Sequence, residues 1–415
     1  MAYHYRRKEQ ERRKRERERK VRRIKIIFGV DAALVVILLL IFAVSKGMSA
    51  GSSEKETSAE AKTAKTENEK TEAAKTEAAR DKSKKKDSAG KSEDSPETDK
   101  AADAGEKKTD EPVTITVSAA GDCTLGTDEF FNWSDSFPAK YEEVGDPAYF
   151  FRNVQPIFSQ DDLTIVNFEG TLTNSENRED KQFAFKADPA YAKILTAGSV
   201  EAANMANNHS NDYGEQSYTD TIKALEDEGI TTFGYDRIAV MDVKGVKVGL
   251  LGTYVLREGL GIKDSMIANL QSLKEQGAQI IISSFHWGSE KAYEPDSTQI
   301  ELAHAAVDNG ADLVLGHHPH VLEGIEEYRG KNIVYSLGNF CFGGNAYPSD
   351  MNTMIFQQTF TIKDGELQED NVKNIIPCRI SSEDGYNNYQ PTPAEGEQKD
   401  DILQKIEEYS SWVQG

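Results

Sequence analysis

From Val113 onward the chain repeats one unit: a short apolar or β-branched run, a glycine or polar break, and then a helical period. Strands are predicted over 113–120, 163–168, 200–205, 230–233, 278–285 and 311–315, and helices over 188–197, 214–229, 264–276 and 296–308. Strands separated by helices must pair in parallel, because the helix carries the chain back to the starting edge of the sheet. Such a chain is constrained to a layered α/β domain. A hairpin is predicted over 238–243 and 246–251, joined by Lys244-Gly245. Runs at 321–328, 332–336, 353–362 and 372–379 follow one another without helices, so part of the sheet system is expected to be antiparallel. Ile402, Leu403, Ile406, Tyr409 and Trp412 recur at helical spacing and predict a closing helix packed on the domain.

The breaks carry the chemistry. Asp122 follows the first strand, and Asn167 and Glu169 close the second. Asn208 and His209 follow the third, with Asp212 three residues on. His286 ends the strand before Trp287-Gly288, and the 311–315 strand breaks at Gly316 into His317, His318, Pro319 and His320. Parallel strands deliver all these groups to one sheet edge, where α/β proteins place their ligands. Carboxylates, an amide oxygen and imidazoles together make a mixed O/N donor set suited to manganese, iron or zinc, as one ion or two. Singly, an Asp after a strand is a turn residue and Asn207-Asn208 a loop. Repetition at five strand ends, with three of the seven histidines inside 317–320, favours a metal centre. His304 lies within a predicted helix and is assigned to structure or surface.

The first 111 residues differ in kind. Residues 1–25 hold 13 Lys/Arg and 4 Glu, a net of +9, so the rest of a chain at −21 carries −30. An acidic remainder repels phosphate backbones and excludes a nucleic-acid-binding domain. Residues 26–45 are apolar apart from Asp31 and long enough to cross a bilayer as one helix. Cations crowd its N-terminal flank, which predicts a cytoplasmic tail and an extracellular remainder. Cleavage after Ala43-Val44-Ser45, as in a signal peptide, stays open as the alternative. Residues 46–111 are low-complexity Lys, Glu, Ala, Ser and Thr, predicting a tether that reaches on the order of 200 Å when drawn out. Cys123, Cys341 and Cys378 are far apart in sequence, compatible with one pair and a free thiol or with three thiols.

Taken together, Gly121-Asp122, Asn167-Phe168-Glu169-Gly170, Ala206-Asn207-Asn208-His209 with Asp212-Tyr213-Gly214, His286-Trp287-Gly288, Gly316-His317-His318-Pro319-His320 and Tyr335-Ser336-Leu337-Gly338-Asn339-Phe340 resemble the CapA family of poly-γ-glutamate capsule-synthesis proteins. That family is itself similar to calcineurin-like metallophosphoesterases. The resemblance spans about 114–342 and implies a four-layer α/β/β/α sandwich over 112–415 with a metal centre at its sheet edge. It implies that Asp122 binds one metal, Glu169 bridges two, Asn208, His286 and His318 bind the second, and His320 returns to the first. His209 would be the general acid, with His317, Asp212 and Asn167 as further members. One position departs: metallophosphoesterases carry a histidine where this chain has Thr124, so the first metal loses an imidazole. The resemblance also implies work on an anionic surface polymer or its precursor beside membrane-bound synthesis proteins. Two functions stay open at this level: a metal-dependent phosphoester hydrolase, or a non-catalytic tethered module that guides polymer.

Overall fold

The computed structural model describes residues 111–414. The basic stretch 1–25, the predicted span at 26–45 and nearly all of the predicted tether lie outside the described residues. In chain order the main strands are β1 (Val113–Thr124), β2 (Leu163–Phe168), β3 (Ala202–Asn204), β4 (Thr231–Phe233), β5 (Ala239–Val243), β6 (Val246–Tyr254), β7 (Ile280–His286), β8 (Leu313–His317), β9 (Ile325–Tyr328), β10 (Lys331–Val334), β11 (Asn339–Phe342), β12 (Asn352–Lys363), β13 (Val372–Arg379) and β14 (Thr392–Pro393). The main helices are α1 (Phe137–Val144), α2 (Ala192–Ala197), α3 (Glu215–Asp227), α4 (Lys263–Glu275), α5 (Ser297–Asp308) and α6 (Gly396–Ser411).

Two large sheets result. The first runs β14-β13-β12-β1-β2-β3-β4, with β11 also paired to β1, and the second runs β9-β10-β8-β7-β6-β5. Pairs β1–β2, β2–β3, β3–β4, β6–β7 and β7–β8 are parallel, as the intervening helices require. The expected antiparallel part is the outer flank of the first sheet, β1–β12–β13–β14, with the β5–β6 hairpin on the second.

Alternation along each strand sorts the core into three. Ile115, Val117 and Ala119 of β1 and Ile165 of β2 meet Val248, Leu250, Ile282 and Leu315 between the sheets. The opposite faces of β1 and β2, with Cys123, Val166 and Phe168, pack on Ile194, Leu195 and Leu225 of α2 and α3. Leu251, Ile281, Phe285 and Val314 pack on Met266, Leu270 and Leu302 of α4 and α5. The described residues therefore form a mixed α/β, sheet-rich fold with a core between its sheets and one on each outer side. Each large side chain so buried contributes roughly 1.5–3 kcal/mol. The closing helix α6 places Ile402 and Ile406 at the end of the inter-sheet core, beside Ile325.

Several boundaries differ from those read in the sequence. β1 does not stop at 120 but shifts register between Ala119 and Asp122 and continues to Thr124. Gly121 allows this: a Cβ there would stand 2.0 Å from the Gly338 carbonyl oxygen. Gly316 likewise does not end its strand. It lets β8 pass the Tyr335 carbonyl, which a Cβ would meet at 1.8 Å, so that His317 is still in the ladder. The run predicted as a strand over 321–328 begins only at Ile325, because the chain is still turning after His318 (φ 97°) and His320 (φ 58°). β11 had been read as a motif and not as a strand.

Candidate metal centre

The first sheet supplies the oxygens. Asp122 at the end of β1 and Glu169 just past β2 are both fully buried. Asp122 Oδ1 accepts from Asn167 Nδ2 at 2.8 Å, and its Oδ2 accepts from the His318 backbone N–H at 3.3 Å. Asn167 is itself held by Asn204 Nδ2, which donates to its Oδ1 at 3.0 Å. Neither oxygen of Glu169 has a hydrogen-bond partner. Water has been excluded from a carboxylate, and nothing among the described residues replaces it by hydrogen bonding.

The second sheet supplies the nitrogens. His286 ends β7, His317 ends β8, and His318 and His320 follow on the turn. His286 Nε2 lies 2.8 Å from Asn208 Oδ1 and 3.4 Å from Glu169 Oε1. His317 Nδ1 lies 3.4 Å from Asp122 Oδ1, and neither of its ring nitrogens is hydrogen-bonded. His320 Nδ1 is 3.0 Å from Asp122 Oδ2, 3.0 Å from Asn339 Oδ1 and 3.9 Å from Glu169 Oε2. His318, with Nδ1 unpartnered, has its ring 4.7 Å from that of His286. The left-handed backbone at His318 and His320 costs about 1–3 kcal/mol at each, a strain that clusters at functional sites.

Ligand atoms of Asp122, Glu169 and His286 fall within 4.8 Å of one another, and so do those of Glu169, His318 and His320. Glu169 is common to both groups. The two groups overlap further: His320 Nδ1 also lies on Asp122, and the His318 ring on that of His286. His317 lies on Asp122.

The electrostatics follow from burial. Burial alone would raise Asp122, but the close approach and charge of His317 and His320 outweigh it and hold the carboxyl well below its ordinary range. Glu169, lacking such partners, is pushed well above its range by burial and then by the Asp122 charge. Burial, with the charge of His318, drives His286 well below the ordinary imidazole value, and burial lowers His318 to about 4. Burial also opposes the charge on His320, yet Glu169 and Asp122 lift it to about 9. The lowered His286 and His318 present neutral imidazoles beside the deprotonated Asp122, and a divalent cation would take the place of the proton on His320; the orphaned atoms of Glu169, His317 and His318 fit one.

Beside this cluster, His209 Nδ1 lies 2.8 Å from Asp212 Oδ2. Asp212 is buried and also takes the Phe185 N–H and Lys181 Nζ, each at 2.6 Å. Lys181 Nζ reaches back to the Asn208 carbonyl at 2.6 Å, tying the loop to the acid. Burial lowers His209 in spite of Asp212. With Nδ1 committed to the carboxylate, Nε2 is left to hold or move a proton. A cleft of about 590 Å³ opens here, with His209, His320 and Asn339 in its lining.

Asn204, Asn339 and Lys181 were not singled out in the sequence. Asn204 stands at a strand end, the same signal that marked Asn167. Asn339 lay inside a recognised motif. Lys181 sits in an aperiodic loop that carries no signal. The cysteines are three free, buried thiols.

The sequence profile of the family described as bacterial capsule synthesis protein PGA_cap matches residues 116–344, which hold every residue named in this cluster. The PGA biosynthesis protein CapA of Bacillus subtilis is 33% identical over 249 residues, 55% of this chain and 63% of that protein. The capsule biosynthesis protein CapA of Bacillus anthracis is 31% identical over 220 residues, 47% of this chain and 54% of that protein. A probable polyglutamine synthesis accessory protein of Mycobacterium tuberculosis is 30% identical over 209 residues, 43% of this chain and 55% of that protein. The matched region thus spans a little over half the length of these relatives. With more than half of its residues inside the profile, this chain belongs to the bacterial capsule synthesis protein PGA_cap family.

Proposed function

We propose that this chain takes part in making a capsule or poly-γ-glutamate-like surface polymer, and that it acts as a metal-dependent phosphoester hydrolase on a precursor outside the cell. The relatives named for capsule and polyglutamate synthesis support the polymer context. Cores between and outside the two sheets support the α/β/β/α metallophosphatase-like sandwich expected for 112–415. The basic tail and the apolar 26–45 segment support a single membrane anchor with the domain outside, at the end of the 46–111 tether.

The observation that carries the chemistry is Glu169: buried, with both oxygens unpartnered, and flanked by His286 at 3.4 Å and His320 at 3.9 Å. Asp122, Glu169, Asn208, His286, His318 and His320 would hold one or two divalent cations, with His317 against Asp122. When bound, such cations supply Lewis-acid activation of water and of a phosphate oxygen. The chain's own residues do the rest. Asn167 and Asn339 orient Asp122 and His320, and Asp212 orients His209 and stabilises the imidazolium that a general acid must visit. Metal analysis of the purified full chain, beside p-nitrophenyl phosphate hydrolysis with added Mn²⁺, tests this. His209→Ala is expected to lower turnover by about 10²–10⁴-fold with metal content unchanged.

A second reading, a non-catalytic module guiding polymer beside membrane-bound synthesis partners, draws on Thr124. It stands where the resemblance expects an imidazole, and its buried hydroxyl oxygen has no partner. Metal bound in full with no phosphoester turnover would select that reading.

A further inference from the structure

Among the described residues six aromatic side chains stand well exposed: Trp133, Phe183, Tyr293, Tyr347, Tyr386 and Trp412. Phe183 and Tyr347 line the cleft beside His209 and His320. Trp133 sits between two lining residues, Asn132 and Asp135, and Tyr293 donates to a third, Asp350, at 3.1 Å. Two of the six therefore stand at the opening itself, and Tyr293 is bonded to its rim. Going inward, the Phe183 ring lies parallel to that of Phe185 at 6.5 Å, and Phe185 reaches the His209 ring at 4.6 Å. Going outward, Tyr293 meets Tyr409 at 5.4 Å, and Tyr409 meets Trp412 at 4.9 Å. Phe183 and Phe185 thus lead from the surface to His209, and Tyr293, Tyr409 and Trp412 form a second, separate row.

The polar lining limits what these rings can hold. Asp135, Glu290 and Asp350 face the cleft, against the cations Lys291 and His320. A polyanion laid along that wall would meet like charge. An alkyl chain would strip water from exposed Asn132, Asp135, Glu290 and Asn345 and return no hydrogen bond. A sugar ring meets both demands: its C–H face lies on an aromatic ring, and its hydroxyls donate to amide and carboxylate oxygens at the rim.

We propose that the cleft binds the uncharged glycosyl units of a phosphorylated glycan, with the phosphate at the Glu169 centre and the saccharide along the Phe183–Tyr347 wall. The position of the phosphate rests on the hydrolase reading; the saccharide site does not. The full-length chain in detergent micelles is titrated calorimetrically with the tetraoses of glucose (β-linked and α-linked) and of N-acetylglucosamine, with octyl phosphate and with poly-γ-glutamate, in the presence and absence of chelator. At least one tetraose is expected to bind with or without chelator. The double variant Phe183→Ala/Tyr347→Ala is expected to weaken it by about 10-fold or more, with circular dichroism and metal content unchanged. No binding by any tetraose overturns the proposal, and so does tighter, ring-dependent binding of octyl phosphate or poly-γ-glutamate. Saccharide binding without phosphoester turnover keeps the proposal and removes the hydrolase reading. Turnover without saccharide binding does the reverse.

Discussion

Three glutamates in this molecule are buried to similar degrees and treated in three different ways. Glu326, on β9, is saturated: His304 Nε2 lies 3.0 and 2.9 Å from its two oxygens, and Tyr335 donates to one at 2.7 Å. Glu323 is half-satisfied, with Oε2 taking Gln299 Nε2 at 2.8 Å and Oε1 taking nothing. Glu169 has no hydrogen bond at either oxygen. A histidine near a buried glutamate is therefore not in itself a site. His304, stacked on Tyr328 at 3.8 Å, closes a structural cluster, while His286 and His320 stand off Glu169 at distances that leave room for a third body. Unmet demand, more than composition, separates a binding centre from a polar core.

Glutamine substitution at the three positions tests that ordering. The largest effect is expected for Glu169→Gln, which removes the carboxylate common to both ligand groups. Its affinity for Mn²⁺ or Zn²⁺, measured by competition with a chromogenic chelator, should fall by more than about 100-fold, since even residues one step removed from a metal cost 10–100-fold. Retained affinity would break the comparison at its most important point.

Glu323→Gln should alter pH dependence next. Burial lifts this carboxyl from 4.5 to about 8, against the Gln299 hydrogen bond. The folded chain thus keeps a proton that the unfolded chain has released, so the stabilisation is complete below about 4.5 and is lost as pH rises through about 8. Thermal unfolding in chelator between those limits should show a melting temperature that falls with pH, and Glu323→Gln should flatten the fall. An equal slope in the variant would mean that Glu323 is hydrated.

Glu326→Gln is the smallest and the sharpest control. It weakens two charge-assisted contacts and should cost about 1–3 kcal/mol in denaturant unfolding, with metal content unchanged. Loss of metal there would mean that the two histidine clusters are not separate.

Much of this was legible in the sequence, for physical reasons that also set the limit. β2 was read to the residue because a continuous apolar run bounded by polar residues has one reading. Asp122 and Glu169 share one edge, and His286 and His318 another, because parallel strands end on the same side of their sheet. What escaped depends on tertiary space. Gly121 and Gly316 look like breaks, yet each is a place where a strand passes close to a neighbouring carbonyl. How the ends of two separate sheets come to face each other is encoded by no local period. Lys181 binds Asp212 from a loop whose path follows its partners and not its own sequence.

Because the oxygen donors project from one sheet and the nitrogen donors from the other, the mixed donor set exists only where the two sheets are packed together. A cation held there would favour the packed state over the unfolded one by mass action, fastening one sheet to the other.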